Sequence, residues 1–287
     1  MRRAWVLALL LGACLPAWSG GIELRDDLGH TSRLTAPARR VVSLLPSLTE
    51  SVCALGACDR LVGRDRYSNH PAQVKALPEV GGIDDTHVEQ IVSLKPDLVL
   101  AATSTRVTDR LRALGLTVVA LEPRSHADAQ RVLGLLGRLL GVAEAEPLWQ
   151  RIEAGAAAAL ASVPPAALGV RVYWEVSSGL YAAGPPSFMG ELLTRLGAAN
   201  ILPASLGPFP KINPEFVVQQ NPALILVGAR NAEGLAQRPG WAQIDAVRKG
   251  RICVFSNEEG DVLARPGPRM AEAAQIVARC LKEKFGS

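Results

Sequence analysis

No local signature for bond-making chemistry runs through this chain. Its four histidines, His30, His70, His87 and His126, are scattered, and no Ser, His and Asp stand together in a nucleophile pattern. There is no G-x-S-x-G turn, no G-x-G-x-x-G after an apolar run and no P-loop. Acyl transfer, dinucleotide binding and phosphate cradling each lack their usual sequence support. A triad is defined in space rather than by order, so a two-lobed α/β enzyme stands as the alternative of another class. What the sequence offers instead is a set of aromatic and charged residues in loops after apolar runs. Tyr67 and Gly82 lie in the first half; Trp174, Phe209, Lys211, Asp261 and Arg265 lie in the second. Aromatic faces stack on flat ligands and a few polar groups orient them, which is the make-up of a small-molecule cleft. Singly, each has a plain structural role: Trp174 ends a strand and suits a core, and Arg265 suits solvent. Together they point to binding without turnover and to no cofactor of the protein's own.

The elements that must position these residues are readable from a duplication. Glu89-Gln-Ile-Val-Ser-Leu-Lys-Pro-Asp-Leu-Val-Leu100 and Glu215-Phe-Val-Val-Gln-Gln-Asn-Pro-Ala-Leu-Ile-Leu226 share a Glu, two apolar residues after one spacer, a Pro seven places on and an apolar run. The copies lie 126 residues apart (215 less 89), too long a period for a solenoid and suited to two similar lobes. Thr86-His-Val-Glu89 reads as a capping box, and Asn213-Pro214 as an N-cap followed by proline in the first turn. Pro96 and Pro222 end the two short helices. Apolar runs that follow suit strands buried on both faces of a parallel sheet.

The remaining pattern alternates strand and helix with short links. Strands are expected at 40–45, 61–63, 117–120, 170–174 and 251–255. Helices are expected from Pro46, at 109–114, 127–140, 148–161 and 187–196, and from about Pro268 to Lys284, with a small hairpin around Asp27 and a loop over 257–269. This is the pattern of doubly wound α/β lobes, whose ligands sit outside the carboxyl ends of the strands. The Ala-rich helix falls between the lobes and reads as a stiff connector. The resulting division is 20–140, a connecting helix at 141–165, and 166–287.

Composition agrees with a globular chain: of 287 residues 48% are hydrophobic and 20% charged, with a net charge of +4. Acids and bases are mixed and there is no basic–aromatic run, so no nucleic-acid partner is expected. Met1-Arg-Arg followed by the apolar Ala4 to Leu11 reads as an export signal. Ala17-Trp18-Ser19 suits ordinary cleavage near residue 19, and Leu11-Gly-Ala-Cys14 suits a lipoprotein signal ending before Cys14. Past the signal, no stretch reaches the roughly 18 apolar residues of a span. Four further cysteines allow three pairings. Export favours disulfides; Cys53–Cys58 is feasible across the turn at Gly56, leaving Cys253–Cys280, and buried free thiols are the alternative. No pair of Cys or His has zinc-ligand spacing.

Arg40-Val-Val-Ser-Leu-Leu-Pro-Ser-Leu-Thr-Glu50, then Tyr67-Ser-Asn-His-Pro71, then Glu89 to Leu100, in that order, resemble the periplasmic solute-binding proteins that serve ABC importers of cobalamin, haem and iron–siderophores. The resemblance covers nearly the whole exported chain. It implies two Rossmann-like lobes joined by one long backbone helix, a monomer in the periplasm, and an ABC importer permease dimer as partner. It implies that Glu89 and Glu215 dock onto permease arginines. Tyr67 matches a ligand-stacking tyrosine of cobalamin-binding members, Phe209 stands in place of a tryptophan, and Trp174, Asp261 and Arg265 fall on or near ligand-lining positions. Ile83-Asp84 and Ala102 stand near the places of two further tryptophans. His70 falls where haem-binding members can carry an axial tyrosine. The ligand so implied is cobalamin or a related corrinoid, or else haem or an iron(III)–siderophore, the latter held by Lys211 and Arg265.

Overall fold

The computed structural model of the chain describes residues 21–286; both cleavage readings fall outside them. The chain opens with the antiparallel pair β1 (Ile22–Arg25) and β2 (Thr31–Leu34). Asp26 closes the turn, its Oδ1 accepting from the N–H groups of Leu28 at 3.0 Å and His30 at 2.8 Å. The first sheet follows: β3 (Val41–Ser43), β4 (Leu61–Arg64), β5 (Leu98–Ala101) and β6 (Val118–Ala120), all parallel, in the order β4-β3-β5-β6. Helices α1 (Pro46–Ala54), α2 (Val88–Ser93) and α3 (Thr108–Ala113) alternate with these strands.

Two long helices come next, α4 (His126–Leu140) and α5 (Ala145–Ala161). Gly141 separates them in the left-handed region, at φ 62°. Pro147 does not delay α5, because it falls in the first turn, where a missing N–H leaves no hydrogen bond unmade. The second sheet comprises β7 (Arg171–Ser177), β8 (Tyr181–Ala182), β9 (Ala199–Asn200), β10 (Leu224–Gly228) and β11 (Ile252–Phe255). Its order is β11-β10-β7-β8, with β9 on β7; only β8 runs antiparallel. Around it lie α6 (Phe188–Arg195), α7 (Pro214–Gln220), the short α8 (Ala229–Ala232) and α9 (Asp245–Arg248), then α10 (Asn257–Leu263) and α11 (Met270–Phe285).

The helices and strands arise where the sequence patterns place them. Leu98 to Ala101 and Leu224 to Val227 are fully buried, as strands covered on both faces must be. Helix α5 belongs to both cores: Leu148, Trp149 and Ile152 pack into the first lobe, and Ala156 and Ala159 against the second. It approaches α11 so closely that a Cβ on Gly155 would stand 2.7 Å from the Cβ of Ala271. Both cysteine pairs are bonded, Cys53–Cys58 at the end of α1 and Cys253–Cys280 between β11 and α11, which sets aside free thiols.

Two local expectations are corrected. The Thr86 capping box does not form: α2 starts at Val88 with His87 as an N-cap that lends no side chain, and the Thr86 hydroxyl donates to the Gly82 carbonyl at 2.6 Å instead. The segment after Asn257 is not a loop throughout. Ser256 and Glu259 form a reciprocal capping box, each closing on the other's backbone N–H at about 3 Å, at 3.1 and 3.0 Å, and α10 results.

Candidate functional site

The carboxyl ends of the first-sheet strands open into a cleft of about 710 Å³ that the second lobe covers from the other side. Leu44, Leu45 and Pro46 follow β3, Asp65 and Tyr67 follow β4, Ala102 and Thr105 follow β5, and Glu122 and Arg124 follow β6. Pro186, Phe188, Pro208, Phe209 and Arg265 come from the second lobe. This is where an open parallel sheet places a ligand. Its size lies in the range of small-molecule sites, and its walls are mostly apolar.

Tyr67 stands in this cleft with half its surface exposed, 51%, yet its backbone is held firmly. Its N–H donates to Asp65 Oδ2 at 2.9 Å and its carbonyl accepts from Arg265 Nη2 at 3.1 Å. The ring lies beside Gly82, where an added Cβ would meet Tyr67 Cε2 at 3.4 Å and Asp85 Oδ1 at 3.0 Å. Asp65 is buried at the cleft floor. Burial pushes its carboxyl above the ordinary range, against hydrogen bonds from Ser68 and Tyr67 and the charges of Arg265 and Arg64, as desolvation of a carboxylate requires. Ser68 also shares a hydrogen bond of 2.7 Å with Thr49, which donates to Ser43 at 2.8 Å. Phe209 lines the opposite wall, its ring 6.4 Å from that of Phe188.

Arg265 reaches the cleft with its charge already paired. Its guanidinium meets Glu50 Oε1 at 2.8 Å, Asp261 Oδ2 at 2.9 Å and Asn69 Oδ1 at 2.8 Å. Glu50, on α1 and only 2% exposed, is shared with Arg269 at 2.7 and 2.8 Å. Buried charge persists only when paired and hydrogen-bonded, and this carboxylate has a guanidinium on each side. The cluster stitches the first lobe to the start of α11. The signal in the sequence was an acid amid the apolar positions of α1, which demands a cation, and two arginines four residues apart that supply it. Glu50, Asp65, Arg269, Phe188, Glu122 and Arg124 are among the residues of this region that the sequence reading did not single out.

Other expected ligand residues lie elsewhere. Trp174 is 3% exposed and packs in the second-lobe core with Phe255, ring centroids 6.2 Å apart; it belongs to the strand's core face, not the cleft. Lys211 is exposed, pairs by its backbone with Tyr181, and lines no part of the cleft. Asp261 is drawn to Arg265 and to Asn69 Nδ2, at 2.8 Å from the latter, and also stays off the lining. His70 is exposed and outside it. The cleft lining contains no His, Cys or Met. Ile83 and Ala102 do line it. Glu89 and Glu215 are exposed in the first turns of α2 and α7. Helices that precede parallel strands run back along them, so both first turns lie on the cleft side of their sheets. Glu89 meets Arg110 at 2.7 Å; among the described residues Glu215 has no ion partner within 4.0 Å.

Two α/β lobes with a ligand-sized cleft between them are a geometry suited to a receptor. Residues 41–258 match the family model described as periplasmic binding protein. The chain belongs to this family. It is a family of solute-binding proteins rather than of enzymes. The chain is 29% identical over 275 residues, 91% of its length and 85% of the other, to the uncharacterized ABC transporter substrate-binding lipoprotein YvrC of Bacillus subtilis. It is similar in fold to the periplasmic vitamin B12 binding protein BtuF of Vibrio cholerae, with TM-score 0.68 and 26% identity over 86% of this chain and 98% of that one. It is also similar to the periplasmic heme-binding protein RhuT of Roseiflexus sp. RS-1, with TM-score 0.74 and 25% identity over 86% and 99%. Among the described residues no helix is long and apolar enough to cross a membrane.

Proposed function

We propose that this chain is an extracytoplasmic receptor that captures a corrinoid, cobalamin or a close relative, in the interlobe cleft and delivers it as a monomer to the permease dimer of an ABC importer. One observation carries the corrinoid reading: the cleft has no free charge excess, and a single phenol is the one axial haem ligand type in its lining. Its lining holds two acids, Asp65 and Glu122, and two arginines. Arg265 is neutralised by Glu50 and Asp261, and Arg124 faces Glu122 at 3.4 Å. A multiply anionic siderophore or the propionates of haem would need unpaired cations there. A corrinoid brings its own cobalt ligands and a rim of neutral amides, which suits backbone, hydroxyl and aromatic partners. Tyr67 and Phe209 supply the stacking faces, while Ile83 and Ala102 make the pocket wider than one walled by tryptophan. The vitamin B12-binding relative supports the same class.

A second reading, haem, is favoured by the Tyr67 phenol, the one side chain in the lining suited to an axial bond to ferric iron. His70 would have to turn inward from its exposed place to serve. Residues 141–165 are read as the connector, since α5 packs into both cores, and Glu89 and Glu215 as the permease-docking pair. Whether the protein is free in the periplasm or held through Cys14 follows from the cleavage of residues outside the described chain. Calorimetric titration of the mature protein with cyanocobalamin and, separately, haemin tests the reading. We expect one cyanocobalamin per chain. Haemin alone, with a Soret band that shifts in the parent and not in Tyr67→Ala, would replace the corrinoid by haem.

A further inference from the structure

Tyr67 is half exposed on a loop, and such a ring is ordinarily free to swing. Here the loop is fastened across the lobes. Asn69 Oδ1 accepts from Arg265 Nη1 at 2.8 Å, Asn69 Nδ2 donates to Asp261 Oδ2 at 2.8 Å, and Asp261 Oδ2 lies 2.9 Å from Arg265 Nη2. Three side chains thus close a ring, with Asn69 its one member from the first lobe. The amide's orientation is set by its neighbours, oxygen to a guanidinium and nitrogen to a carboxylate; a flip would oppose donor to donor. The same Arg265 Nη2 holds the Tyr67 carbonyl at 3.1 Å. Asn69 is half-buried and lines no part of the cleft, so its role is not one of direct contact there.

We propose that Asn69 is a positioning residue: by joining the Tyr67 loop to Asp261 and Arg265 it sets the ring of Tyr67 against the cleft and so selects what the cleft accepts. This rests on the solute-binding reading. The role calls for an amide. Aspartate would face Asp261 as a like charge, and an aliphatic side chain would leave Arg265 paired through Glu50 while removing the loop's two side-chain ties to the second lobe, so that the Tyr67 carbonyl alone would still span to Arg265. The ring also makes Tyr67 report on the second lobe, because its carbonyl and its neighbour Asn69 both hang on the Arg265 guanidinium.

The chain has three tyrosines, Tyr67, Tyr173 and Tyr181, so 3-fluorotyrosine labelling gives a short, assignable fluorine spectrum, Tyr67 being the line lost in Tyr67→Phe. In Asn69→Leu the Tyr67 line should shift and narrow while the line of Tyr173, buried in the second lobe, stays and reports an intact fold. Affinity for cyanocobalamin should fall about tenfold, the effect of losing a charge-assisted hydrogen bond. In a Tyr67→Ala background the same substitution should change affinity less than about twofold, since the two act as one unit. Asp261→Leu, which opens the ring from the other side, should repeat the pattern. An unmoved Tyr67 line, or an equal loss of affinity in both backgrounds, overturns the proposal. A parent protein that binds neither cyanocobalamin nor haemin overturns the ligand reading, and the Tyr67 line then decides the positioning role alone.

Discussion

Helices α2 and α7 carry one sequence pattern and end alike, yet they begin differently. Lys95 and Asn221 stand in the left-handed region, at φ 48° and 43°, directly before Pro96 and Pro222, and a buried strand follows each. At α7 the start obeys the local sequence: Asn213 Oδ1 accepts from the Glu215 N–H at 2.9 Å, and Pro214 opens the first turn. At α2 it does not, because Thr86 is engaged by the Gly82 carbonyl in the turn that flanks Tyr67. The endings follow from covalent restriction, which no neighbour can override. The beginnings depend on which acceptor wins a hydroxyl, and in the first lobe the cleft wall wins.

The comparison can be broken or sharpened in three ways. The largest effect concerns the proposed docking pair. Glu89→Ala with Glu215→Ala should abolish uptake in reconstituted vesicles while ligand affinity stays at the parent value; equal loss of affinity would remove the docking role. Singly, Glu215→Ala should cost more than Glu89→Ala, because Glu89 already has Arg110 at 2.7 Å. The second contrast sets lobe against lobe through the disulfides. Cys253–Cys280 closes a separation of 27 residues and Cys53–Cys58 one of 5. On chain-entropy grounds the first contributes about 3.5 kcal/mol and the second about 2. Denaturant titration of the two double Cys→Ala variants should rank them in that order. The smallest effect tests the helix starts themselves. Asn213→Ala should cost about 1 kcal/mol, and His87→Asn, which gives α2 the cap it lacks, should add about 0.5.

Most of the fold was open to reading because its signals are local and mutually consistent. Periodic apolar runs, helix-stopping prolines and a duplicated segment require no knowledge of partners, and α5 announced itself by its alanines. The site was less legible. Tyr67 reaches the cleft because it follows β4 closely, whereas Phe209 comes from the loop between β9 and α7 and Arg265 from the turn after α10. Trp174 is the middle residue of β7, three residues from either end, and its face of the sheet packs in the core with Phe255. Asp261 and Lys211 lie off the cleft lining for another reason: α10, unforeseen as a helix, turns Asp261 toward Arg265 one turn on, and Lys211 pairs by its backbone with Tyr181 at the surface. Glu50 was missed although its demand for a cation could be read, because its two arginines lie more than 200 residues away in sequence, at 215 and 219.

The pairing of Glu50 with Arg265 and Arg269 has a further consequence. Dissolved ions screen exposed charges over about 8 Å at physiological strength and reach buried pairs far less. The seam that shapes the cleft is sealed from solvent, whereas Glu89 and Glu215 stand in it. With the proposed docking pair, capture and hand-over should answer differently to the medium: rising salt should leave the first almost untouched and weaken the second, so that ionic strength alone would hold the protein loaded but undocked.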